Sequence, residues 1–454
     1  MKLYNTPARE VQEFVPQDPN HVKVYTCGPT VYSKQHIGNY TAYIYWDTLI
    51  RVLRLANYTP YRVMNITDVG HLVSDDDYGE DKMEKGARKS GKTVWEVAQF
   101  YLDDYMDHFH ALNLIHPDKV ARATDYIEQS IDIVDTLTSK GLTYEIRDGV
   151  YYDATKFPTY ANFAHLDLDG LQGGARVELI DDKRNIYDFA LWKFIQPGEA
   201  HVMRWDYLGK PGYPGWHLEC SAIIHAELGE TIDIHTGGID HIQTHHTNEI
   251  AQSEAAFEKP LANYWLHNSH ITVDGEKISK SLGNTVTFED IVERGFTHTD
   301  YRMWVLEGHY QSQRNFTYDN IAAAHSRLTN YRNWAALRHQ NKEVKPEVID
   351  QAILRATEAL FDNLNTAQAL SEIDKILNVT APTEAALQLM DEAFGLKLID
   401  TTPDITADQK TMLQNRAKAR EAKDWTKSDQ IRDEFSKSEL TILDSAEGQT
   451  WQYI

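Results

Sequence analysis

The chain has 454 residues, 42% of them hydrophobic and 25% charged, which is typical of a globular protein with several domains. No apolar run of about 18 residues and no hydrophobic N-terminal signal is visible, so we expect a cytoplasmic protein without a membrane span. A net charge of −23 argues against nonspecific nucleic-acid binding, and only two cysteines, Cys27 and Cys220, exclude a disulfide framework. The two thiols are either inert or part of one site.

The first 70 residues predict a strand, a turn, a helix and a second strand. Residues 21–32, HVKVYTCGPTVY, are rich in β-formers and end near a Gly-Pro turn, and residues 33–58 have apolar positions at helical spacing. Residues 61–69 predict the next strand. This β-α-β order favours a doubly wound parallel sheet, with His36 at a helix start where phosphate is favoured.

Residues 86–93, GARKSGKT, satisfy the phosphate-binding loop pattern G-x-x-x-x-G-K-[ST]. The residues before them, SDDDYGEDKMEK, are too acidic for a central strand and would repel a polyphosphate. We interpret Thr93 instead as a helix N-cap, with Glu96 completing a capping box. A P-loop ATPase that uses Lys92 remains the alternative.

Later segments alternate between strand and helix patterns before the chain becomes helical. Helical spacing is found in residues 123–141 and 414–435, and strand patterns are found in residues 149–160, 231–238 and 264–273. The spacing predicts a sheet interrupted by an inserted domain. Beyond about residue 315, long amphipathic helices predict a bundle, and a small strand pair is expected at the C-terminus.

Two local patterns suggest ligands. His245 and Glu249 are four residues apart on a predicted helix, as two ligands of one metal ion would be, although a solvated helix face shows the same spacing. Residues 274–284, DGEKISKSLGN, place Lys277 and Lys280 in a loop suited to a polyphosphate leaving group. An exposed lysine-bearing loop is the alternative.

Seven blocks taken together resemble the class I cysteinyl-tRNA synthetases, in the family's order and over nearly the whole chain. The blocks are CGPTVYSKQHIGNY, NITDV, DDKRNIYDFALWK, PGWHLECSAI, DIHTGGIDHIQTHHTNEIAQSEA, KISKSLGN and NRAKAREAKDWTKSDQIRDE. Motifs like H-I-G-H and K-M-S-K-S occur in many class I synthetases, whereas PGWHLEC with HH-x-N-E is close to specific for cysteine.

The resemblance implies an α/β fold: a class I Rossmann-type nucleotide-binding catalytic domain with an inserted connective domain, then an α-helical bundle and a small C-terminal anticodon-binding region. The expected segments are residues 1–115 and 206–265 for the two catalytic halves, 116–205 for the insertion, 266–318 for the stem-contact region with the KISKS loop, 319–395 for the tRNA-binding bundle and 396–454 for the anticodon-binding region.

The resemblance also implies one zinc ion that binds the substrate sulfur and so rejects serine. Its ligands fall on Cys27, Cys220, His245 and Glu249, which uses both cysteines of the chain. Other soft or borderline metals would also suit these donors. The residues implied around the substrate cysteine are Gly28, Thr67, Trp216 and His235, although core packing is an alternative role for Trp216.

The implied reaction joins cysteine to ATP as cysteinyl-adenylate and then transfers it to the 3′ end of tRNA(Cys). His36 and Lys280 are expected to stabilise the departing pyrophosphate, with Lys277 as a lesser contributor. The implied ATP-binding residues are His36, Asn39, Gly237, Gly238, Asp240 and Lys280. Magnesium is expected with ATP, no dedicated magnesium ligands are recognisable, and a monomer is expected.

The chain departs from the family pattern at three places. Asn39 replaces the second histidine of H-I-G-H, Ile278 replaces a methionine, and residues 74–81 form an acidic insertion. A cysteine ligase of mycothiol synthesis shares the catalytic core but needs no tRNA-reading tail. The basic residues and Trp425 in residues 414–435 favour tRNA, and a noncatalytic zinc-binding regulator is a further alternative.

Overall fold

The computed structural model describes residues 1–69, 87, 91–166, 182–197, 201–279, 283–445 and 448–454. They form two compact units. The first unit comprises Met1–Asp290 with Tyr310–Asn315, and the second comprises Ile291–His309 with Phe316–Ile454. In the described part of the chain, no helix is both long and apolar enough to cross a membrane.

The described strands are short, as expected for a mixed α/β protein. In chain order they are β1 Lys2–Asn5, β2 Glu10–Glu13, β3 Val22–Thr26, β4 Pro60–Ile66, β5 Lys119–Arg122, β6 Thr143–Ile146, β7 Gly149–Tyr152, β8 Phe189–Phe194, β9 Trp205–Tyr207, β10 Lys210–Pro214, β11 Ile232–Gly238, β12 Ala262–Asn268, β13 Ile271–Val273, β14 Glu276–Lys277, β15 Arg314–Phe316, β16 Leu440–Ser445 and β17 Gly448–Tyr453.

The described α-helices become frequent in the second half of the chain. They are α1 Ile37–Leu55, α2 Val94–Ala111, α3 Ile127–Ser139, α4 Trp216–Leu228, α5 Thr247–Phe257, α6 Phe288–Glu293, α7 His298–Leu306, α8 Tyr318–Ala336, α9 Pro346–Phe361, α10 Thr366–Asp374, α11 Glu384–Phe394, α12 Leu398–Thr401, α13 Ala407–Glu421 and α14 Trp425–Ser436.

A five-stranded parallel sheet forms the centre of the first unit. Its order is β12-β11-β3-β4-β5, so the chain builds outward from β3 in one direction and later returns to the other side through β11. The boundary between β3 and β11 is therefore the topological switch point, where ligands bind at the carboxyl ends of the strands. The predicted β-α-β opening and parallel sheet are confirmed.

A second sheet is antiparallel, and its strands interrupt those of the parallel sheet along the chain. Its order is β6-β7-β8-β10-β9, and all its pairs are antiparallel. Its strands lie in the chain between β5 and β11, which confirms that an insertion divides the parallel sheet. The boundaries of the six expected segments remain a prediction.

The predicted cap of α2 is present. Thr93 Oγ1 accepts a hydrogen bond from the Glu96 backbone N–H at 3.2 Å, and the Thr93 N–H donates to Glu96 Oε2 at 2.8 Å. The capping box satisfies donors that a helix N-terminus leaves unpaired. Half of residues 86–93, and all of the acidic residues 74–81, lie outside the described residues.

The second unit is helical and ends in the β16–β17 hairpin, as predicted. The single helix expected over residues 414–435 is wrong, because the chain forms α13 and α14 there. Lys423 adopts a left-handed φ of 58°, which ends the first helix, and the Asp424 side chain caps the second through the Lys427 N–H at 3.1 Å.

Candidate active site at the switch point

A pocket of about 490 Å³ opens at the carboxyl ends of β3 and β11. Residues at the N-terminal ends of α1 and α4 also line it, and a helix N-terminus offers unpaired backbone N–H groups. The sequence-predicted residues that line it are Cys27, Gly28, His36, Asn39, Thr67, Trp216, Cys220, Gly237, Gly238, Asp240, His245 and Lys277. Residues separated by up to 250 positions therefore share one site.

Two of the predicted residues that the structure describes are not in the lining. Glu249 and His235 are fully buried behind the pocket wall, where His235 Nε2 lies 2.7 Å from Glu249 Oε2. His235 therefore contacts the Glu249 carboxylate instead of the pocket. Lys280 lies outside the described residues.

The wall near α1 carries the groups expected at the phosphate end. His36 is the N-cap of α1, and its backbone N–H donates to Asn39 Oδ1 at 3.1 Å. The amide oxygen of Asn39 is thus used to cap the helix, and its NH₂ group is the part that can donate to an anion. Asn39 fits the helix start without the imidazole that the family pattern has there.

Gly28 allows two strand ends to approach closely at the pocket floor. Its backbone N–H donates to Asn65 Oδ1 at 2.8 Å. A Cβ atom at position 28 would lie 1.7 Å from the Asn65 carbonyl oxygen, which no side chain can tolerate. The backbone after β3 therefore requires glycine beside Cys27.

The two cysteines, one histidine and one glutamate converge at the deep end of the pocket. Ligand atoms of Cys27, Cys220, His245 and Glu249 all lie within 4.8 Å of one another. His245 Nε2 is 2.6 Å from Glu249 Oε1, as expected for residues four apart on one helical face. His245 lies in the π-helical turn Ile242–His246, and Glu249 follows in the first turn of α5.

Further histidines surround this cluster, and they were not predicted from the sequence. His217 Nδ1 lies 3.0 Å from His245 Nδ1, and His246 Nε2 lies 3.5 Å from Cys27 Sγ. His246 Nδ1 in turn lies 2.7 Å from His267 Nε2. The adjacent histidines His245 and His246 were the signal that the sequence offered. The residues around them did not show that the two rings contact different partners.

Burial and charge divide these groups into neutral and ionised members. Burial lowers the pKa of His217, and burial with the neighbouring His235 lowers the pKa of His246 to about 3. Burial also acts against the charged form of His245, but the Glu249 carboxylate and Cys27 outweigh it and raise the pKa of His245 to about 10.

The thiol and the carboxylate have lowered pKa values. The hydrogen bond with Cys220 lowers the pKa of Cys27, against the effect of burial and with help from nearby imidazoles. Burial opposes ionisation of Glu249, but the imidazoles of His235 and His245 lower its pKa. Both shifts favour the anionic forms of Cys27 and Glu249, which are the forms that bind a metal cation.

A second donor set shares half of the first. Cys27 and Glu249 also lie within 4.8 Å of His235 and His246. Cys27, Cys220 and His245 line the pocket, whereas His235 and His246 do not. A metal ion held by the first set would therefore be within reach of a molecule in the pocket.

Two family models and full-length relatives match this chain. The model for the tRNA synthetases class I (C) catalytic domain matches residues 13–326, and the model for the cysteinyl-tRNA ligase anticodon binding domain matches residues 402–451. The cysteine–tRNA ligase of Treponema denticola is 37% identical over 100% of this chain and 99% of the relative. That of Burkholderia lata, cysteine–tRNA ligase 1, is 40% identical over 99% and 96%.

Among solved structures, Mycobacterium tuberculosis methionyl-tRNA synthetase in complex with methionyl-adenylate has a TM-score of 0.59. It is 15% identical, with 86% of this chain and 95% of that chain covered, so it shows the class I fold alone. The domain matches and the full-length relatives are what define the family. The chain belongs to the cysteinyl-tRNA synthetase family, the cysteine–tRNA ligases of class I.

Proposed function

We propose that this protein activates L-cysteine with ATP and transfers it to the 3′ end of tRNA(Cys), with one zinc ion selecting the substrate thiolate. The chain is a ligase of the class I synthetase family. The observation that carries the zinc assignment is the convergence of Cys27, Cys220, His245 and Glu249 within 4.8 Å at the deep end of the pocket.

The donor set fits zinc. Zinc in proteins is bound by a few thiolate, imidazole and carboxylate ligands, and these four residues supply all three types. His217 lies against Nδ1 of His245, which leaves Nε2 facing Glu249. When bound, zinc offers a further coordination position to a soft thiolate, which serine cannot supply.

The walls above these donors suit an amino acid of small size. Trp216 lies with its ring centroid 4.4 Å from that of His245, and Thr67 and Gly28 complete the floor. We assign these residues to the substrate cysteine. We assign His235 to the same function through Glu249, whose carboxylate it orients at 2.7 Å.

The other end of the pocket suits ATP. The cysteine carboxylate attacks the α-phosphate, the bond to the bridging oxygen breaks, and pyrophosphate leaves with its magnesium. His36, Lys277 and the α1 N-terminus would stabilise this charge, while Asn39, Gly237, Gly238 and Asp240 would contact the nucleotide. We assign Lys280 to the departing pyrophosphate from its position in the KISKS motif alone.

The second unit supplies the tRNA-binding part of the proposal. The side chain of Trp425 is 54% exposed, and the Arg420 guanidinium lies 5.6 Å from its ring centroid. An exposed aromatic ring beside a cation suits base stacking in single-stranded RNA. The match of residues 402–451 to an anticodon-binding model favours tRNA over the amino sugar used in mycothiol synthesis.

Cobalt substitution tests the metal site without relying on activity. We expect one Co²⁺ per chain and a thiolate-to-metal absorption band, because two cysteines bind the ion. Cys220→Ser should weaken that band by about half, whereas His246→Asn should leave it in place. A band that survives Cys220→Ser unchanged but is lost in His246→Asn would favour the second donor set, and absence of any band would contradict the zinc site.

A further inference from the structure

We propose that Lys34 is an additional ATP-binding residue, which exchanges its carboxylate partners for the polyphosphate of the bound nucleotide. The proposal rests on the function proposed above and adds a residue to its phosphate end. Lys34 lies two positions before His36 and lines the same pocket. Its side chain is 44% exposed to solvent.

Two carboxylates hold Lys34 in the structure. Its Nζ pairs with Glu289 Oε1 and lies 3.3 Å from Asp104 Oδ1. Asp104 belongs to α2, and Glu289 belongs to the first turn of α6. The ion pairs with Glu289 and Asp104 raise the pKa of Lys34 above its usual value, so it is charged at every physiological pH.

Few of the described residues that line the pocket carry a permanent charge. Among the described lining residues, the lysines are Lys34 and Lys277, there is no arginine, and Asp240 is the one carboxylate. A magnesium-bound polyphosphate carries several negative charges and enters a protein with a net charge of −23. It therefore needs the cations that line the pocket.

Asn39 strengthens the need for another cation. It is neutral, and its amide oxygen is already engaged by the His36 backbone N–H at 3.1 Å. The phosphate end therefore has one imidazole fewer than the family pattern provides. Lys34 stands in the loop that leads into α1 and supplies a permanent charge at that end.

The carboxylate partners can release Lys34. Its pairs with Glu289 and Asp104 are partly exposed to solvent, and pairs of this kind are weak. Glu289 Oε1 also lies 3.9 Å from His108 Nε2, so this carboxylate retains a neighbour after the lysine moves. Phosphate oxygens offer Lys34 an acceptor of higher charge than either carboxylate.

Two substitutions separate this proposal from a purely structural ion pair, because each removes one partner of the same bridge. If the bridge only holds elements together, Lys34→Met and Glu289→Gln should have similar effects. If Lys34 binds phosphate, Lys34→Met should raise the KM for ATP by about tenfold, the effect of one charge-assisted contact. Glu289→Gln should then leave that KM unchanged or lower it.

The assay is cysteine-dependent exchange of labelled pyrophosphate into ATP, with thermal unfolding as the check on folding. We expect the KM for cysteine to be unchanged in both variants, and Lys34→Arg to restore most of the ATP affinity. Equal KM values for ATP in wild type and Lys34→Met, or equal increases in Lys34→Met and Glu289→Gln, would overturn the proposal.

The failure of the underlying function gives a different result. If the wild type shows no cysteine-dependent exchange, the proposed ligase activity fails and the role of Lys34 is measured by calorimetric binding of a nonhydrolysable ATP analogue. Weaker binding in Lys34→Met than in Glu289→Gln would still support the phosphate contact. Equal binding in wild type and both variants would refute it.

Discussion

Two adjacent glycines at the end of β11 should respond very differently to alanine. A Cβ atom at position 237 would lie 2.5 Å from Cε1 of His246 and 2.8 Å from Nδ1 of His241. A Cβ atom at position 238 would have no heavy atom of the described residues within 4 Å. The ordinary contact distance begins at 3.4 Å, so His246 must move by about 0.9 Å in Gly237→Ala.

His246 has little room for this displacement. Its side chain is fully buried, its Nδ1 lies 2.7 Å from His267 Nε2, and its ring centroid is 5.0 Å from that of Trp265. Overpacking of this kind costs about 1–3 kcal/mol of the free energy of unfolding. Because His246 Nε2 also lies 3.5 Å from Cys27 Sγ, metal affinity should fall as well.

Urea unfolding of the two variants, with metal content measured in parallel, tests this reasoning. Gly237→Ala should shift the first unfolding transition to lower urea, and Gly238→Ala should stay within about 0.5 kcal/mol of wild type, as uncrowded substitutions do. The φ of Gly238 is −82°, so alanine is not strained there. Equal stability of the two variants would refute the packing account.

Three further outcomes follow from local geometry. Thr93→Ala should lower the free energy of unfolding by about 1 kcal/mol in urea titration, because the cap of α2 is lost, and an unchanged midpoint would contradict the capping box. Burial lowers the pKa of His309, so the neutral imidazole contributes to the free energy of unfolding above its unfolded-state pKa of about 6.5. This contribution is lost as pH falls below that value. His309→Gln should therefore flatten the loss of stability between about pH 7 and 5, and an unchanged pH profile would contradict this. Trp425→Ala should raise the KM for tRNA by about tenfold or more in aminoacylation while pyrophosphate exchange stays unchanged, and Trp425→Phe should keep part of the binding.

The sequence predicted the centre of the fold well because its signals there are local. The run before Cys27 has β-forming residues and a Gly-Pro turn, and α1 has apolar residues at helical spacing, so strand and helix follow from neighbouring residues. The break between α13 and α14 was missed because it depends on a left-handed Lys423, and lysine carries no strong signal for that conformation.

The site was predictable only in part. Resemblance placed Cys27, Cys220, His245 and Glu249 together, and the structure brings their ligand atoms within 4.8 Å. The imidazoles of His217 and His246 were not predicted, because their contacts join residues 28 and 219 positions apart. Spacing along one helix shows which residues share a face, but it does not show what packs against that face.

The measurement that tests the central claim is pyrophosphate exchange with cysteine and with serine, on protein of known zinc content. The account predicts exchange with cysteine, almost none with serine, and loss of cysteine-dependent exchange in Cys220→Ser that tracks loss of zinc. Exchange that persists in zinc-free protein, or that accepts serine as readily as cysteine, would contradict the claim that Cys27, Cys220, His245 and Glu249 select the substrate through a metal ion.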